Sequence, residues 1–167
     1  MSQRLNFFEQ SPELTNKLFD FSGAVKKSSL GNTIIDLVNI RASQLNGCAF
    51  CLDMHCKEAK IHGENELRIY HLPVWRESTL FSETERAVLE WTEAVTRLSE
   101  HGIPDEIYDR VRAQLSEKQI TELTYAIGLI NMWNRLNISF RTVPGSFDDQ
   151  LGLTKAGLRS STHSAKA

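Results

Sequence analysis

The chain has 167 residues, of which 41% are hydrophobic and 24% are charged, and its formal net charge at pH 7 is -2. That length and composition are typical of one globular domain with its own core, and the balanced charge argues against a nucleic-acid partner. Because the N-terminus lacks a secretory apolar run and no segment reaches the ~18 apolar residues of a membrane span, we expect a cytoplasmic protein without a membrane partner.

Apolar residues recur at helical spacing along the first part of the chain. Ser11 and Pro12 form a helix start, and the periodicity extends this helix to about Ser28. A second helix is predicted from about Asn32, and its wide apolar surface indicates a central, buried position. Asp36 is an acidic exception on that surface.

The remainder of the chain is also predicted to be helical. Ser82 and Ser116 each begin a capping box ahead of an amphipathic segment. No stretch shows the period-2 alternation of a half-buried strand, so the predicted fold is an all-α bundle of about six or seven helices. We assign residues 1–145 to this helical domain and the polar residues 146–167 to a C-terminal tail. The five predicted helices after the second cover roughly 48–62, 64–72, 83–98, 104–115 and 117–140.

A Cys-x-x-Cys-x-x-x-His run opens the third predicted helix, directly after the turn dipeptide Asn46-Gly47. At 3.6 residues per turn, Cys48, Cys51 and His55 are expected within roughly 60° of one helix face. His55 is about one turn from Cys51 but about 10 Å along the axis from Cys48. The histidine is therefore expected beside Cys51.

Three interpretations of this run compete. The cysteines can be small core residues beside a satisfied histidine. They can bind zinc, but zinc usually takes four ligands, and Cys56 is ~100° round the helix from His55. We favour the third, a redox-active dithiol activated by a helix N-terminus and a neighbouring base. An odd number of cysteines in a reducing compartment argues against a structural disulfide framework, and the strands of a thioredoxin-like pattern are missing.

The run RASQLNGCAFCLDMH, from Arg41 to His55, resembles the signature of the alkylhydroperoxidase D-like proteins of the carboxymuconolactone decarboxylase superfamily. The resemblance covers roughly residues 5 to 145. It implies a helical subunit that assembles into trimers or hexamers. Other segments that look like this family are residues 72–78, 82–92 and 130–135.

The resemblance also implies a mechanism. Cys51 would attack the O–O bond of hydrogen peroxide or an alkyl hydroperoxide, and Cys48 would condense with the resulting sulfenic acid to form a disulfide. In the family an acidic residue twelve positions before the first cysteine joins the histidine in a proton relay to the second cysteine. That position is Asp36 here, where the family usually has glutamate, and Phe50 stands where some members have a histidine. The implied site is therefore Cys51, Cys48, His55 and Asp36.

Two questions stay open at this point. Helix-dipole reasoning favours Cys48 as the more acidic thiol, whereas proximity to His55 favours Cys51. The sequence has no flavin or nicotinamide site, so no cofactor is expected, and an external thiol or a protein reductant would have to reopen the disulfide.

The alternative functions are a non-catalytic thiol redox sensor and the lactone chemistry of the carboxymuconolactone decarboxylases. Cys56 is expected to be a bystander.

Overall fold

The computed structural model describes residues 2–158, and within that range the chain forms α-helices and no β-strand. The all-α prediction is confirmed. The one-turn helix α1 brings the number of α-helices to eight, and short 3-10 helices cover Leu72–Val74 and Leu153–Ala156. The α-helices are α1 (Phe7–Gln10), α2 (Pro12–Lys26), α3 (Asn32–Asn46), α4 (Ala49–Ile61), α5 (Glu66–His71), α6 (Glu83–Thr96), α7 (Asp105–Arg112) and α8 (Glu117–Phe140).

Helix α3 lies at the centre of the bundle and packs against α4, α6 and α8. Its residues Leu37, Val38 and Ile40 are fully buried, as its wide apolar surface predicts. Gly47 ends α3 in the left-handed conformation, with φ of 71°. Because glycine adopts that conformation without steric cost, the chain can reverse there and start α4 immediately.

Helix α8 brings a second set of side chains to the α3–α4 turn. It is the longest helix and begins at the predicted capping box on Ser116. Its inward face carries Leu123, Ile127 and Ile130, and two further inward residues, Asn134 and Asn137, are also buried. Amides on an otherwise apolar helix face need hydrogen-bond partners, and they find them around the two cysteines.

The chain after α8 returns to the surface of α4. Residues 146–158 form turns and the 3-10 helix Leu153–Ala156, and Leu153 and Ala156 are buried. Part of the predicted polar tail is thus packed on the helical domain, while residues 159–167 lie outside the described range. Across residues 2–158, no helix is long and apolar enough to cross a membrane.

Candidate functional site

Cys48 is the N-cap residue of α4 and is not part of the helix. Its backbone is extended, with φ of −86° and ψ of 97°, and its Sγ accepts a hydrogen bond from the Cys51 N–H at 3.4 Å. Helical periodicity therefore predicts the relative positions of Cys51 and His55, which lie within α4, but not the position of Cys48. The two thiols nevertheless lie next to each other, and each shifts the pKa of the other.

Cys51 and His55 line the same cavity, which has a volume of about 180 Å³, whereas Cys48 does not line it. An apolar cavity of about 150 Å³ is large enough to hold a benzene molecule. The cavity beside Cys51 is therefore large enough to hold a small apolar molecule. Its walls are mainly apolar, and they include the aromatic rings of Phe8, Phe19, Phe50, Trp133 and Phe147.

The pKa values of the two thiols are shifted in opposite directions. The pKa of Cys48 is lowered, chiefly because the Cys51 thiol donates a hydrogen bond to it, and this outweighs the opposing effect of burial. The pKa of Cys51 is raised, because donating that bond stabilises its protonated form and burial adds to the effect. Cys48 is therefore the first of the two thiols to lose its proton, as the helix-dipole argument favours, and Cys51, which faces the cavity, is the one that keeps it.

Amides from α8 solvate the two sulfurs. Asn137 donates from Nδ2 to Cys51 Sγ at 3.5 Å and to the Trp133 carbonyl at 2.9 Å. Asn134 helps to lower the pKa of Cys48 and donates to Ser43 Oγ at 3.1 Å. Sequence reasoning did not identify this pair as site residues, although two asparagines three positions apart on an apolar helix face are a detectable signal.

His55 is held by a carboxylate that sequence reasoning also missed. Its Nδ1 lies 2.7 Å from Glu58 Oε2, and Lys26 Nζ lies 2.7 Å from Glu58 Oε1. Burial tends to raise the pKa of the Glu58 carboxyl, but His55 and Lys26 outweigh it and lower that pKa to about 2. A carboxylate only accepts hydrogen bonds, so Nδ1 carries a proton and Nε2 is the nitrogen left to exchange protons with the site.

Asp36 is buried but belongs to a different pair. Its Oδ2 lies 2.7 Å from His62 Nδ1, near the C-terminal end of α4. Burial raises the pKa of Asp36, and the hydrogen bond with His62 opposes that rise. The structure thus places Cys51 next to Cys48 and on the same cavity as His55, while Glu58 and not Asp36 is the carboxylate in contact with His55.

The buried position of Glu58 predicts a pH-dependent stability. The folded-state pKa is about 2 and the ordinary value is 4.5, so the stabilisation is present above 4.5 and is lost as pH falls toward 2. Between about pH 5 and pH 3, wild type should lose roughly 2 kcal/mol more unfolding free energy than Glu58→Gln. Urea unfolding at the two pH values measures this difference.

The control for that measurement is Glu13→Gln, which removes the same charge from an exposed position on α2. It should lose as much stability as wild type over the same pH interval. Equal losses in wild type and Glu58→Gln would show that the Glu58 carboxylate is not stabilised by His55 and Lys26.

The third cysteine has a separate environment. Cys56 packs against the apolar cluster around Leu37 and Leu72, and burial, followed by the charge of Asp53, raises the pKa of Cys56 to about 11. Such a thiol is unreactive at neutral pH. Within residues 2–158, no group of three or more His, Cys, Asp or Glu side chains has an arrangement that would hold a metal ion.

Comparison with known proteins indicates the same family as the cysteine motif does. The model of the carboxymuconolactone decarboxylase family matches residues 12–94. The uncharacterized protein YdfG of Bacillus subtilis (strain 168) is 43% identical over 139 residues, which are 83% of this chain and 95% of YdfG.

Solved structures share the fold. ATU0492 of Agrobacterium tumefaciens, a protein of unknown function and candidate antioxidant defence protein AhpD, is 42% identical, with a TM-score of 0.83 over 86% of this chain and 98% of that chain. An uncharacterized peroxidase-related protein of Ralstonia eutropha JMP134, described as an alkylhydroperoxidase AhpD core, is 15% identical, with a TM-score of 0.74 over 84% of this chain and 75% of that chain. The chain therefore belongs to the carboxymuconolactone decarboxylase family and is an AhpD-like member of it.

Proposed function

We propose that this protein is a thiol-dependent peroxidase that reduces small organic hydroperoxides or hydrogen peroxide through a Cys48/Cys51 dithiol–disulfide cycle. The observation that carries the proposal is the position of Cys51. It is the thiol that lines the apolar cavity, with His55 beside the same space and Cys48 hydrogen-bonded to it. The similarity to ATU0492, a candidate antioxidant defence protein, supports the same activity.

The first step transfers oxygen to sulfur. Cys51 Sγ attacks the terminal oxygen of the hydroperoxide and passes its proton to the Cys48 thiolate along their shared hydrogen bond. The O–O bond breaks, and the alkoxide leaves as an alcohol after taking a proton from His55. Glu58 stabilises the protonated imidazole while His55 acts as this acid. Cys51 is then a sulfenic acid.

The second step forms the disulfide. Cys48 attacks the Cys51 sulfur, and the hydroxyl group leaves with the Cys48 proton as water. One peroxide is thereby reduced and one dithiol oxidised. An external thiol or protein reductant supplies the two electrons that reopen the disulfide. A cytoplasmic location would provide such reductants, and we expect the enzyme to work there as a homo-oligomer.

The test is peroxide consumption in the presence of a panel of donors: dithiothreitol, glutathione and a thioredoxin with its reductase. We expect turnover with at least one of them, with one disulfide of donor formed per peroxide consumed. Disulfide formation in this protein without turnover by any donor would contradict the peroxidase proposal and indicate a redox sensor. Lactone decarboxylation that persists in the Cys48→Ser/Cys51→Ser double variant would contradict it as well.

A further inference from the structure

Residues 146–158, which we call the C-terminal strap, form one wall of the cavity. Phe147 and Leu151 line the same space as Cys51 and His55. The ring centroid of Phe147 lies 5.0 Å from that of Phe8 and 5.8 Å from that of Phe50, which it meets edge-on. Cys51 itself has no solvent exposure. A molecule that approaches Cys51 must therefore pass the ring of Phe147 or the other aromatic walls.

The strap is joined to the helices by few polar bonds. Its backbone hydrogen bonds are local, as in the bond from Leu153 N–H to the Asp148 carbonyl at 2.8 Å. Across residues 2–158, the one side-chain hydrogen bond that connects the strap to the rest of the protein joins Lys57 and Asp148, at 2.7 Å. The strap is otherwise held by apolar packing, in which Leu153 and Ala156 are buried. A segment with so few polar bonds to the rest of the protein opens locally at a lower free-energy cost than the helices do.

Lys57 is suited to be an anchor because it is buried. Its side chain is 3% exposed and also lies 2.6 Å from Asp53 Oδ2, one turn earlier on α4. A buried ammonium group requires compensating carboxylates, so the lysine favours the closed position of Asp148. Asp53 still neutralises Lys57 when Asp148 is removed. The anchor can therefore be broken without leaving an unpaired buried charge.

We propose that the C-terminal strap controls access to Cys51, that the Lys57–Asp148 ion pair holds it closed, and that Phe147 sets the size of the substrate. Small peroxides enter through the existing opening, whose exposed edge includes Phe19, Lys26 and Leu151, and need only small side-chain movements to touch the buried Cys51 sulfur. Bulky hydroperoxides require the strap to move. This consequence for substrate choice rests on the proposed peroxidase activity, but the access control itself does not.

The experiment measures access without any peroxide. In a Cys48→Ser/Cys56→Ser background Cys51 is the single thiol, since the chain has three cysteines. Its alkylation rate is measured with iodoacetamide, which is small, and with N-(1-pyrenyl)maleimide, which is bulky. The ratio of the two rates removes any change in the intrinsic reactivity of the sulfur, because such a change affects both reagents.

In that background, Asp148→Ala should raise the ratio of the alkylation rate with the bulky reagent to the rate with the small one about tenfold. The reason is that the closed state loses one hydrogen bond to a charged group. Asp53→Ala is the matched control, because it removes the other carboxylate of Lys57 and leaves the strap attached. Its ratio should stay within about twofold of the parent. Phe147→Ala should raise the ratio while leaving the ion pair intact.

An unchanged ratio in both Asp148→Ala and Phe147→Ala would overturn the proposal, as would equal increases in Asp148→Ala and Asp53→Ala. Thermal unfolding of each variant confirms that the helical domain is folded during labelling. If labelling gives the expected ratios but no donor supports peroxide turnover, access control stands and the peroxidase proposal fails. The two hypotheses are therefore tested separately.

Discussion

Replacing Cys51 by serine is expected to abolish thiol-dependent peroxide turnover. Cys51 is the sulfur that faces the cavity, and a serine hydroxyl in its place is neither acidic nor nucleophilic enough to cleave the O–O bond. We expect kcat/KM to fall more than about a thousandfold, as is usual when an enzyme loses its nucleophile. Steady-state peroxide consumption with the best donor measures this loss.

Two matched serine variants serve as controls for that result. Cys56→Ser should keep nearly all activity, because Cys56 packs in a different apolar cluster and its thiol is unreactive. Cys48→Ser should still reduce peroxide once at Cys51, but more slowly, because the thiolate that accepts the Cys51 proton is missing, and it should form no intramolecular disulfide. Full turnover in Cys51→Ser, or inactivity in Cys56→Ser, would refute the assignment of Cys51 as the nucleophile.

The second large effect is expected at His55. His55→Gln should lower kcat/KM about a hundredfold, because the leaving alkoxide loses its proton donor. Glu58→Gln should cause a smaller loss, about tenfold, since the imidazole remains but loses the carboxylate that orients it.

Two further variants separate a positioning role for Glu58 from a purely structural one. Glu58→Asp should recover part of the rate, and Glu13→Gln should match wild type. A Glu58→Gln variant with wild-type kinetics would show that the contact with His55 has no part in the reaction. An Asp36→Asn variant that lost as much activity as Glu58→Gln would favour the relay implied by the family resemblance.

The helices were predictable because their signals are local. Apolar spacing and capping residues act over three or four positions, and the capping boxes at Ser82 and Ser116 form as expected. The same helical periodicity explains why Cys51 and His55 line one cavity. Cys48 differs because its N-cap position gives it an extended backbone, which a helical projection does not describe.

The remaining site residues depend on contacts between distant segments. Asn137 is 86 positions from Cys51, and only the crossing of α8 over the α3–α4 turn brings them together. The choice of Glu58 over Asp36 depends on how α3 and α4 are rotated against each other, which no local pattern specifies. The sequence predicts a polar tail here because the apolar residues of the strap, among them Phe147 and Leu153, keep neither a helical nor a strand spacing throughout.

The most direct measurement of the central claim locates the oxygen after a single reaction with peroxide. Cys48→Ser is treated with one equivalent of hydroperoxide and then with dimedone, which reacts with sulfenic acids, and the adduct is mapped by mass spectrometry. The account predicts an adduct on Cys51 and none on Cys56. The absence of an adduct on Cys51, together with an adduct on Cys48 in the matching Cys51→Ser experiment, would contradict it.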